Sequence, residues 1–461
     1  MFRGPWADGP PPEALRVDAP RLDRFGPAEL GRMVVIGLVL AATVVRAALG
    51  WVVRRRGRSF ATAASEGVVD GFERLGPTFV KLGQLIASSP SLFPQPLADA
   101  CLKMLDEVRP FDAEHVRRLV EAELGPMDEV FASFDLVPLS AASIAQVHAC
   151  TLHDGRDAVL KLHRPEIARR MNTDLRIQHA IATKVLARTN AGRRANVVGM
   201  VEDLHEVTNQ ELNAALEADR QSRFRDAIGA FGDNEGITAP EVYWDHCAPH
   251  MICMERMRGV PMDDFDAIAA QGVDGELILR RGIKVWVEAA LVHGPFHGDV
   301  HAGNLWVLED GRATYLDFGI MGELEPIWRD TMREILFTSM IDQDYRRVVR
   351  AYQRVGVIPE DVDPEVAGPA IAMIMEPMLQ QGVGGVSLGE QLKTNLELAN
   401  QYGATAPKEL LLVSKQLLYF ERYARTLAPS YVLARDLFLL KNIFPEAVAA
   451  KAAELGVELP A

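Results

Sequence analysis

Short apolar runs flank an Asp-Gly pair at two places in the chain. The first two runs are Ile144 to Leu152 and Asp157 to His163, and the second two are Leu305 to Leu308 and Ala313 to Leu316. Apolar runs of this length on either side of Asp-Gly are typical of β-hairpins. The pattern therefore predicts two hairpins, each of which brings the outer ends of its strands together.

Most of the remaining chain has the three- to four-residue spacing of amphipathic helices. One helix is entered through Pro77, another begins after an Asp112 cap, and Gly236 to Arg256 contributes two further strands. Further helices are predicted over Val201 to Phe224, Leu277 to His293, Ile327 to Met340, Tyr345 to Val355, Gln391 to Gln401 and Lys408 to Leu427. The pattern predicts an α+β fold, and 461 residues are enough for two lobes.

The N-terminal region divides into a polar tail and an apolar segment. Residues 1–32 are rich in Pro, Gly and charge, which predicts a poorly ordered tail. Met33 to Val53 is apolar except for Arg46, and the basic run Arg54-Arg55-Arg56-Gly57-Arg58 follows. A charge near the middle of a membrane span is costly, whereas a basic cluster binds anionic headgroups. Two interpretations stay open for residues 33–58: a membrane-associated helix and a plain structural helix.

Composition narrows the class of protein. Hydrophobic residues make up 48% of the chain and charged residues 24%, which is typical of a globular protein with a large core. The net charge of −14 argues against a general nucleic-acid surface. Four scattered cysteines without a C-x-x-C suit a reducing compartment. We expect a cytoplasmic protein, and under the first interpretation of residues 33–58 it is associated with a membrane either peripherally or through one helix.

The strongest chemical motif lies around the second hairpin. His297 and Asp299 form a His-x-Asp, Asn304 follows five positions after the aspartate, and Asp317 opens an Asp-Phe-Gly. The protein-kinase signature H-R-D-x-x-x-x-N followed by D-F-G has this order, with Arg replaced here by Gly298. The motif predicts Asp299 as the catalytic carboxylate and Asn304 and Asp317 as Mg²⁺ ligands, because phosphoryl transfer needs oxygen ligands that hold Mg²⁺ on nucleotide phosphates.

The strand Ala158 to Leu162 is close to the V-A-I-K of kinases, so Lys161 is the candidate for the α- and β-phosphates of ATP or ADP. Such a lysine is held by a glutamate from a helix. Helical spacing cannot choose among the four candidates, which are Glu202, Glu206, Glu211 and Glu217.

Two further segments are candidates for nucleotide contact. The small residues Ser140, Ala141, Ala142 and Ser143 stand where kinases have a Gly-rich loop, so backbone amides could approach a phosphate there. Met251 to Gly259 is a strand with a glycine-containing exit, as expected of a hinge between two lobes. Its nucleotide-binding candidates are Met254, Glu255 and Met257.

The chain resembles the UbiB/AarF/ADCK family of atypical kinases over roughly Gly67 to Leu427. Lys81-Leu82-Gly83-Gln84 resembles the family's K-x-G-Q, and Ser140 to His148 resembles its Ala-rich loop. The resemblance implies a two-lobed protein-kinase-like fold with an N-terminal helical extension and a mostly helical C-lobe. It also implies that the K-x-G-Q helix covers the active site and that the Ala-rich loop alters nucleotide selectivity.

The resemblance also chooses among the glutamates. Glu211 to Ala218 is similar to the family's E-x-D segment followed by the lysine-pairing glutamate, which assigns Glu217 to Lys161 and Glu211 to Lys81. Lys81, Gln84 and Glu211 are then regulatory residues. Two positions depart from the family pattern: Asn213 stands for Asp, which removes a negative charge from the regulatory contact, and Ser140 stands for the first Ala of the loop.

The implied organisation has six parts. They are a tail (1–32), an apolar and basic helix (33–58), a helical extension with the K-x-G-Q (59–135), an N-lobe (136–258), a C-lobe (259–430) and a C-terminal helical tail (431–461). The implied function is an ATP-dependent kinase or ATPase that uses Mg²⁺ and supports isoprenoid-quinone biosynthesis or lipid homeostasis. The expected partners are nucleotide and either membrane lipid or quinone-biosynthesis proteins, but no nucleic acid.

Two other functions remain open. His297 to Asn304 also resembles the catalytic loop of small-molecule phosphotransferases such as aminoglycoside and choline kinases, although these lack the K-x-G-Q and the Ala-rich loop. The third interpretation is a non-catalytic, nucleotide-regulated scaffold. Filled catalytic positions disfavour the scaffold.

Overall fold

The protein divides into two compact units. The structure is a computed structural model that describes residues 2–54, 59–88, 93–102, 104, 110–164, 166–189, 192–193, 196–379 and 408–460. Unit 1 comprises Met1–Glu217 and Tyr243–Glu255, and unit 2 comprises Ala218–Val242 and Arg256–Ala461. The basic residues 55–58 and the helix predicted over Gln391 to Gln401 lie outside the described residues. The predicted α+β class is confirmed.

The elements up to residue 229 are mainly helical and include four short strands. They are α1 (Pro27–Arg54), α2 (Phe60–Leu75), α3 (Pro77–Ser88), α4 (Gln95–Cys101), α5 (Ala113–Glu123), α6 (Met127–Val130), β1 (Ser133–Phe134), β2 (Ser140–Ala141), β3 (Ala145–Thr151), β4 (Asp157–His163), α7 (Ile167–Lys184), α8 (Val197–Glu211) and α9 (Ala214–Gly229).

The later elements are seven strands and seven helices among the described residues. They are β5 (Ile237–Thr238), β6 (Met251–Glu255), β7 (Gly259–Pro261), α10 (Phe265–Ala270), α11 (Gly275–Glu288), β8 (Pro295–His297), β9 (Leu305–Leu308), β10 (Ala313–Tyr315), β11 (Met321–Glu323), α12 (Pro326–Phe337), α13 (Arg346–Arg354), α14 (Pro364–Leu379), α15 (Lys408–Leu427) and α16 (Pro445–Leu455).

Unit 1 contains an antiparallel sheet with the strand order β1-β3-β4-β6, and β2 also pairs with β3. The predicted hairpin around Asp154-Gly155 is present as β3 and β4, with Val147 opposite Lys161. β6 covers the other edge of β4 and places Ile252 opposite Lys161. Lys161 therefore lies on the central strand of a sheet, where both neighbouring strands restrict its backbone.

The helix predicted over Val201 to Phe224 is interrupted in the structure. α8 ends at Glu211, and α9 begins at Ala214. The Oδ1 of Asn213 accepts a hydrogen bond from Leu216 N at 3.0 Å, which caps the start of α9. A single continuous helix was therefore a wrong prediction, because a local side-chain cap competes with continued helix at this position.

Helix α1 packs on α2 through small residues. A Cβ on Gly67 would lie 2.9 Å from Ala47 Cβ, and one on Gly71 would lie 2.7 Å from Leu40 Cδ2, so both glycines permit close approach. Arg46, the one charge inside the apolar segment, forms an ion pair with Asp70 of α2. The apolar helix is therefore partnered along one face.

The N-terminal segment before α1 contacts unit 1, whereas the sequence predicts a poorly ordered tail there. Trp6 is only 5% exposed, and Gly4 N donates to Asp245 O at 2.8 Å. The Nδ2 of Asn213 donates to Ala14 O at 2.9 Å and to Arg16 O at 3.1 Å. We call residues 2–26 the N-terminal strap. It is held because buried aromatic surface and satisfied carbonyl groups compensate for its polar composition.

Replacing Asn213 with Asp should release the strap. The carboxylate would keep the cap on Leu216 N but would face two carbonyl oxygens without a hydrogen to donate, which costs about 1–3 kcal/mol. We expect faster limited tryptic cleavage at Arg16 and Arg21 and a lower melting temperature. The same substitution in a chain that lacks residues 2–26 should have no such cost. Equal cleavage rates of the full-length parent and the full-length Asn213→Asp variant would contradict the assignment of Asn213 as a residue that holds the strap.

Unit 2 contains two small sheets and most of the long helices. Its larger sheet has the order β5-β10-β9-β7, in which β5 runs parallel to β10 and the other pairs are antiparallel. The predicted hairpin around Asp310-Gly311 is present as β9 and β10. β8 pairs with β11, so the strands before and after this hairpin also meet.

Two of the predicted helices continue through π-helical turns. α11 runs on as Ala289–His293 and α12 as Thr338–Asp342, which together match the lengths predicted from the sequence. The C-terminal segment after α15 packs into the core of unit 2 through the buried Leu439 and Leu440. The side chain of Asp436 binds Arg280 at 2.7 Å.

Candidate functional site

Lys161 and Glu217 form a buried ion pair in unit 1. Lys161 Nζ lies 2.5 Å from Glu217 Oε1, and the two residues are 7% and 1% exposed. β4 positions the lysine, and the first turn of α9 positions the glutamate. Of the four glutamates that helical spacing left open, this is the one that the resemblance assigned to Lys161. The role of the Lys161–Glu217 pair in nucleotide binding stays a prediction.

Lys81 and Glu211 form a second ion pair in unit 1. Lys81 Nζ lies 2.5 Å from Glu211 Oε2, so the last turn of α8 is joined to α3. Gln84 lies one turn further along α3 and is half-buried. Gly83 allows Met104 to pack closely on α3, because a Cβ there would lie 2.2 Å from Met104 Sδ and the Met104 side chain would have to shift. The regulatory role of these residues remains a prediction.

The small-residue segment forms the end of a strand and a tight turn. Ser140 and Ala141 make up β2, and Ala142 N donates to Ala145 O at 2.9 Å. The guanidinium of Arg164 donates to Ala142 O from Nε at 3.1 Å and from Nη2 at 2.9 Å. Ser143 is buried. The turn is therefore closed by its own hydrogen bonds rather than by glycine.

The predicted nucleotide-contact residues near the hinge fall at the end of β6. Met254 pairs with Val159 and Glu255 with Ala158 on β4. Both side chains are half-buried, and Met257 follows in unit 2. Their contact with nucleotide stays a prediction.

In unit 2, His297 is buried and organises the backbone of the catalytic loop. Asp299 N donates to His297 Nδ1 at 3.2 Å, and His297 Nε2 donates to Leu316 O at 2.9 Å. Burial lowers the pKa of His297, so the ring stays neutral and has one donor and one acceptor nitrogen. The imidazole therefore links the backbone of Asp299 to the backbone of Leu316, the residue before Asp317.

The hairpin brings Asn304 beside the segment that leads into Asp317. Leu316 N donates to Asn304 O at 2.8 Å, and Asn304 Nδ2 donates to Asp299 O at 3.1 Å. Asp317 has a positive φ of 57°, which is uncommon for a residue other than glycine and is typical of functional sites. Unit 2 thus brings together Asp299, Asn304 and the approach to Asp317, as their sequence order predicted.

These side chains fit Mg²⁺, which prefers oxygen ligands. The amide nitrogen of Asn304 is used on Asp299 O, so its Oδ1 remains the acceptor end, and Asp317 contributes a carboxylate. Within the described part of the chain, no group of three or more His, Cys, Asp or Glu side chains could hold a metal by itself. A Mg²⁺ ion held by Asn304 and Asp317 would take its other ligands from nucleotide phosphates and water.

Asp299 has two basic neighbours. Lys415 Nζ lies 2.9 Å from its Oδ1, and His301 Nε2 lies 3.6 Å from its Oδ2. Burial by itself would raise the pKa of Asp299, but the charges of Lys415 and His301 and the hydrogen bond from Lys415 outweigh it. The pKa is therefore below its ordinary value, and the carboxyl group is ionised at neutral pH.

α15 also holds the backbone on both sides of Asp299. Gln416 Nε2 donates to Gly298 O at 2.7 Å, and Val300 N donates to Gln416 Oε1 at 2.9 Å. Tyr423 OH donates to Val300 O at 2.9 Å.

The sequence interpretation missed Lys415, Gln416 and Tyr423. The only available signal was weak: polar residues interrupt the apolar run of a predicted helix more than 100 positions away from the loop.

Comparisons with known sequences identify the family of this chain. The sequence model of the ABC1 atypical kinase-like domain matches residues 103–352, and that of the UbiB helical domain matches residues 371–431, which include α15. A probable protein kinase UbiB of Xylella fastidiosa is 34% identical over 79% of this chain and 67% of that protein. An uncharacterized Mycobacterium tuberculosis protein is 35% identical over 90% of this chain and 85% of its own length.

A solved structure is also similar in part. The Rv3197–erythromycin complex from Mycobacterium tuberculosis covers 78% of this chain and 94% of its own, with a TM-score of 0.46 and 22% identity. The family model matches more than half of the chain, and the sequence relatives are more than 30% identical over most of it. The chain therefore belongs to the UbiB-type, or ABC1, family of atypical kinases and has a kinase-like fold.

Proposed function

We propose that this protein is an ATP-dependent phosphotransferase or ATPase that binds Mg²⁺-nucleotide. The observation that carries the proposal is a pair of hydrogen bonds in unit 2. Asn304 Nδ2 donates to Asp299 O, and Asn304 O accepts from the backbone N of Leu316, the residue before Asp317. This arrangement holds an acceptor-positioning carboxylate and two oxygen ligands in one loop and hairpin. These are the groups that phosphoryl transfer requires.

Each residue has a role that follows from its chemistry. Asp299, ionised and anchored at its backbone, would orient an acceptor hydroxyl or a water molecule. Asn304 and Asp317 would hold Mg²⁺, which supplies positive charge against the nucleotide phosphates when bound. Lys161 would bind the α- and β-phosphates, and Glu217 keeps its ammonium group in place.

The biological setting is a proposal of the same kind. The names of the UbiB relatives and the resemblance of the K-x-G-Q and Ala-rich segments support a role in isoprenoid-quinone biosynthesis or lipid homeostasis. The apolar helix α1 supports action at a membrane surface. Lys81, Gln84 and Glu211 would regulate turnover, because the Lys81–Glu211 ion pair joins α3, which also carries Gln84, to the end of α8, six residues before Glu217.

The function is tested by titrating the protein with ATP in the presence of Mg²⁺ or EDTA. We expect a Mg²⁺-dependent rise in melting temperature and phosphate release, measured with and without anionic liposomes and phenolic quinone precursors. No stabilisation by Mg²⁺-ATP or Mg²⁺-ADP under any of these conditions would contradict the proposal. Binding without phosphate release would instead support the nucleotide-regulated scaffold.

The outer face of α1 is the proposed membrane-contact surface. Only 11% of its most apolar 18-residue window is buried, and the helix is long enough to cross a membrane. Exposed apolar side chains line this face while α2 and α7 hold the other side. Arg32 binds Asp174 of α7 at 2.7 Å, and Glu29 binds Arg176 at 2.9 Å. These contacts fix the orientation of the helix, so its apolar face is presented outwards.

Charges on this face should abolish membrane binding. Leu38 and Leu49 are 66% and 62% exposed, so replacing both with Asp should leave the fold intact. Each lost leucine contact costs about 1.5–3 kcal/mol of membrane affinity. We expect at least a tenfold loss of co-sedimentation with anionic liposomes. Val366→Asp, at a 74% exposed position of α14, is the matched control. Unchanged binding of the double variant would place the membrane contact elsewhere.

A further inference from the structure

Helix α15 brings a lysine to the candidate catalytic carboxylate from a distant part of the sequence. Lys415 Nζ donates to Asp299 Oδ1 at 2.9 Å, although the two residues are 116 positions apart. Neither the kinase signature nor the spacing of the loop calls for this lysine. The contact therefore gives Asp299 a partner that the kinase motif does not provide.

The contact belongs to a larger attachment of the helix to the loop. Gln416, which is fully buried, binds Gly298 O and Val300 N, the backbone groups on either side of Asp299. Tyr423 lies two turns further along and binds Val300 O. Because these bonds fix the backbone of the loop, the remaining freedom of Asp299 lies in its side-chain torsions. Lys415 restricts those torsions.

We propose that Lys415 is a positioning residue for phosphoryl transfer, which holds the Asp299 carboxylate in the orientation that receives the acceptor hydroxyl or the attacking water. This inference rests on the proposed function. The lysine occupies Oδ1, and His301 lies nearer Oδ2. A carboxylate held in this way keeps one oxygen directed at the acceptor, as an effective catalytic geometry requires.

A simple surface ion pair is the competing explanation. Lys415 has a side chain that is 44% exposed, and exposed pairs contribute little to stability. The ammonium group also lies 5.8 Å from the centroid of the Tyr419 ring. The two explanations differ in their consequences: a surface pair affects neither turnover nor binding, whereas a positioning residue affects turnover alone.

The test compares Lys415→Met and Lys415→Arg with Arg425→Met. Arg425 is an exposed residue of the same helix, so its substitution removes an equal charge away from the loop. We expect Lys415→Met to lower kcat by about 10- to 100-fold, the order expected when a catalytic group is misplaced. The affinity for Mg²⁺-ADP should remain within about threefold of the parent, because the lysine does not hold the nucleotide. Lys415→Arg should recover part of kcat, and Arg425→Met should match the parent.

Two results would overturn the inference while leaving the proposed function intact. One is that the parent protein turns over ATP and the Lys415→Met variant has the same kcat. The other is a Lys415→Met variant that loses kcat and melting temperature together without recovery in Lys415→Arg, which would indicate a structural role.

If the parent protein shows no turnover, the proposed function fails first, and the contact is tested by melting temperature. The single variants Lys415→Met and Asp299→Asn are then compared with the double variant. Non-additive shifts would show that the Lys415–Asp299 contact forms in solution although the positioning role fails with the proposed function, whereas additive shifts would overturn the contact as well.

Discussion

Replacing Asp317 with Asn is expected to remove the stabilisation of the protein by Mg²⁺-ATP and to reduce phosphate release by about 100-fold or more, the order of a lost electrostatic contact. The substitution takes one negative charge from the proposed Mg²⁺ site. Asn tolerates the positive φ of 57° at this position about as well as Asp does. The backbone should therefore keep its conformation, and the loss should be confined to the metal and nucleotide.

The measurement is the melting temperature with and without saturating Mg²⁺-ATP, since a ligand at 100 times its Kd stabilises a protein by about 2.7 kcal/mol. Asp310→Asn is the matched control, because Asp310 lies in the turn of the same hairpin and pairs with Arg312 there. An unchanged response to Mg²⁺-ATP in Asp317→Asn would show that Asp317 is not a metal ligand.

Replacing Lys161 with Met should reduce both stability and nucleotide affinity, for separate reasons. The substitution leaves the buried Glu217 carboxylate without its lysine, and breaking a buried pair in this way costs about 3–5 kcal/mol of the free energy of unfolding. It also removes the ammonium group that is proposed to bind the nucleotide phosphates.

The double variant Lys161→Met/Glu217→Met separates these two effects. Removing both charges should recover most of the free energy of unfolding, since a buried ion pair exchanged for apolar residues is often neutral. Nucleotide affinity should remain low. Urea denaturation and nucleotide titration measure the two quantities. Full recovery of nucleotide binding in the double variant would exclude Lys161 as the phosphate-binding residue.

Local features of this fold could be predicted from the sequence. The predicted Asp157 to His163 and Leu305 to Leu308 are β4 and β9, because a short apolar run and an Asp-Gly turn are encoded within a few residues. The predicted Lys408 to Leu427 is α15, because apolar spacing over five turns is a strong signal. The kinase order of Asp299, Asn304 and Asp317 was also visible, because only a short hairpin separates Asn304 from Asp317.

Two features of unit 1 could not be predicted from the local sequence. The break at Asn213 depends on whether its side chain caps a helix or remains within one, and nearby residues do not decide this. The N-terminal strap has the composition of a disordered tail. It is held by the hydrogen bond of Gly4 to Asp245, by the burial of Trp6 and by the hydrogen bonds of Asn213 to Ala14 and Arg16.

The glutamate partner of Lys161 shows where the limit lies. Helical periodicity placed Glu202, Glu206, Glu211 and Glu217 on helix without distinguishing them, and only the family resemblance pointed to Glu217. In the structure, Glu217 is the one that approaches to 2.5 Å, because β4 and the first turn of α9 place the two side chains beside each other in unit 1.

The sequence by itself thus determined the hairpins, most helices and the order of the residues proposed to bind Mg²⁺ and nucleotide. Only the tertiary structure decided that Lys415 and Gln416 hold the loop around Asp299. The physical reason is range: turn types and apolar periodicity act within a few residues, whereas a hydrogen bond between residues 116 positions apart depends on how the whole of unit 2 packs.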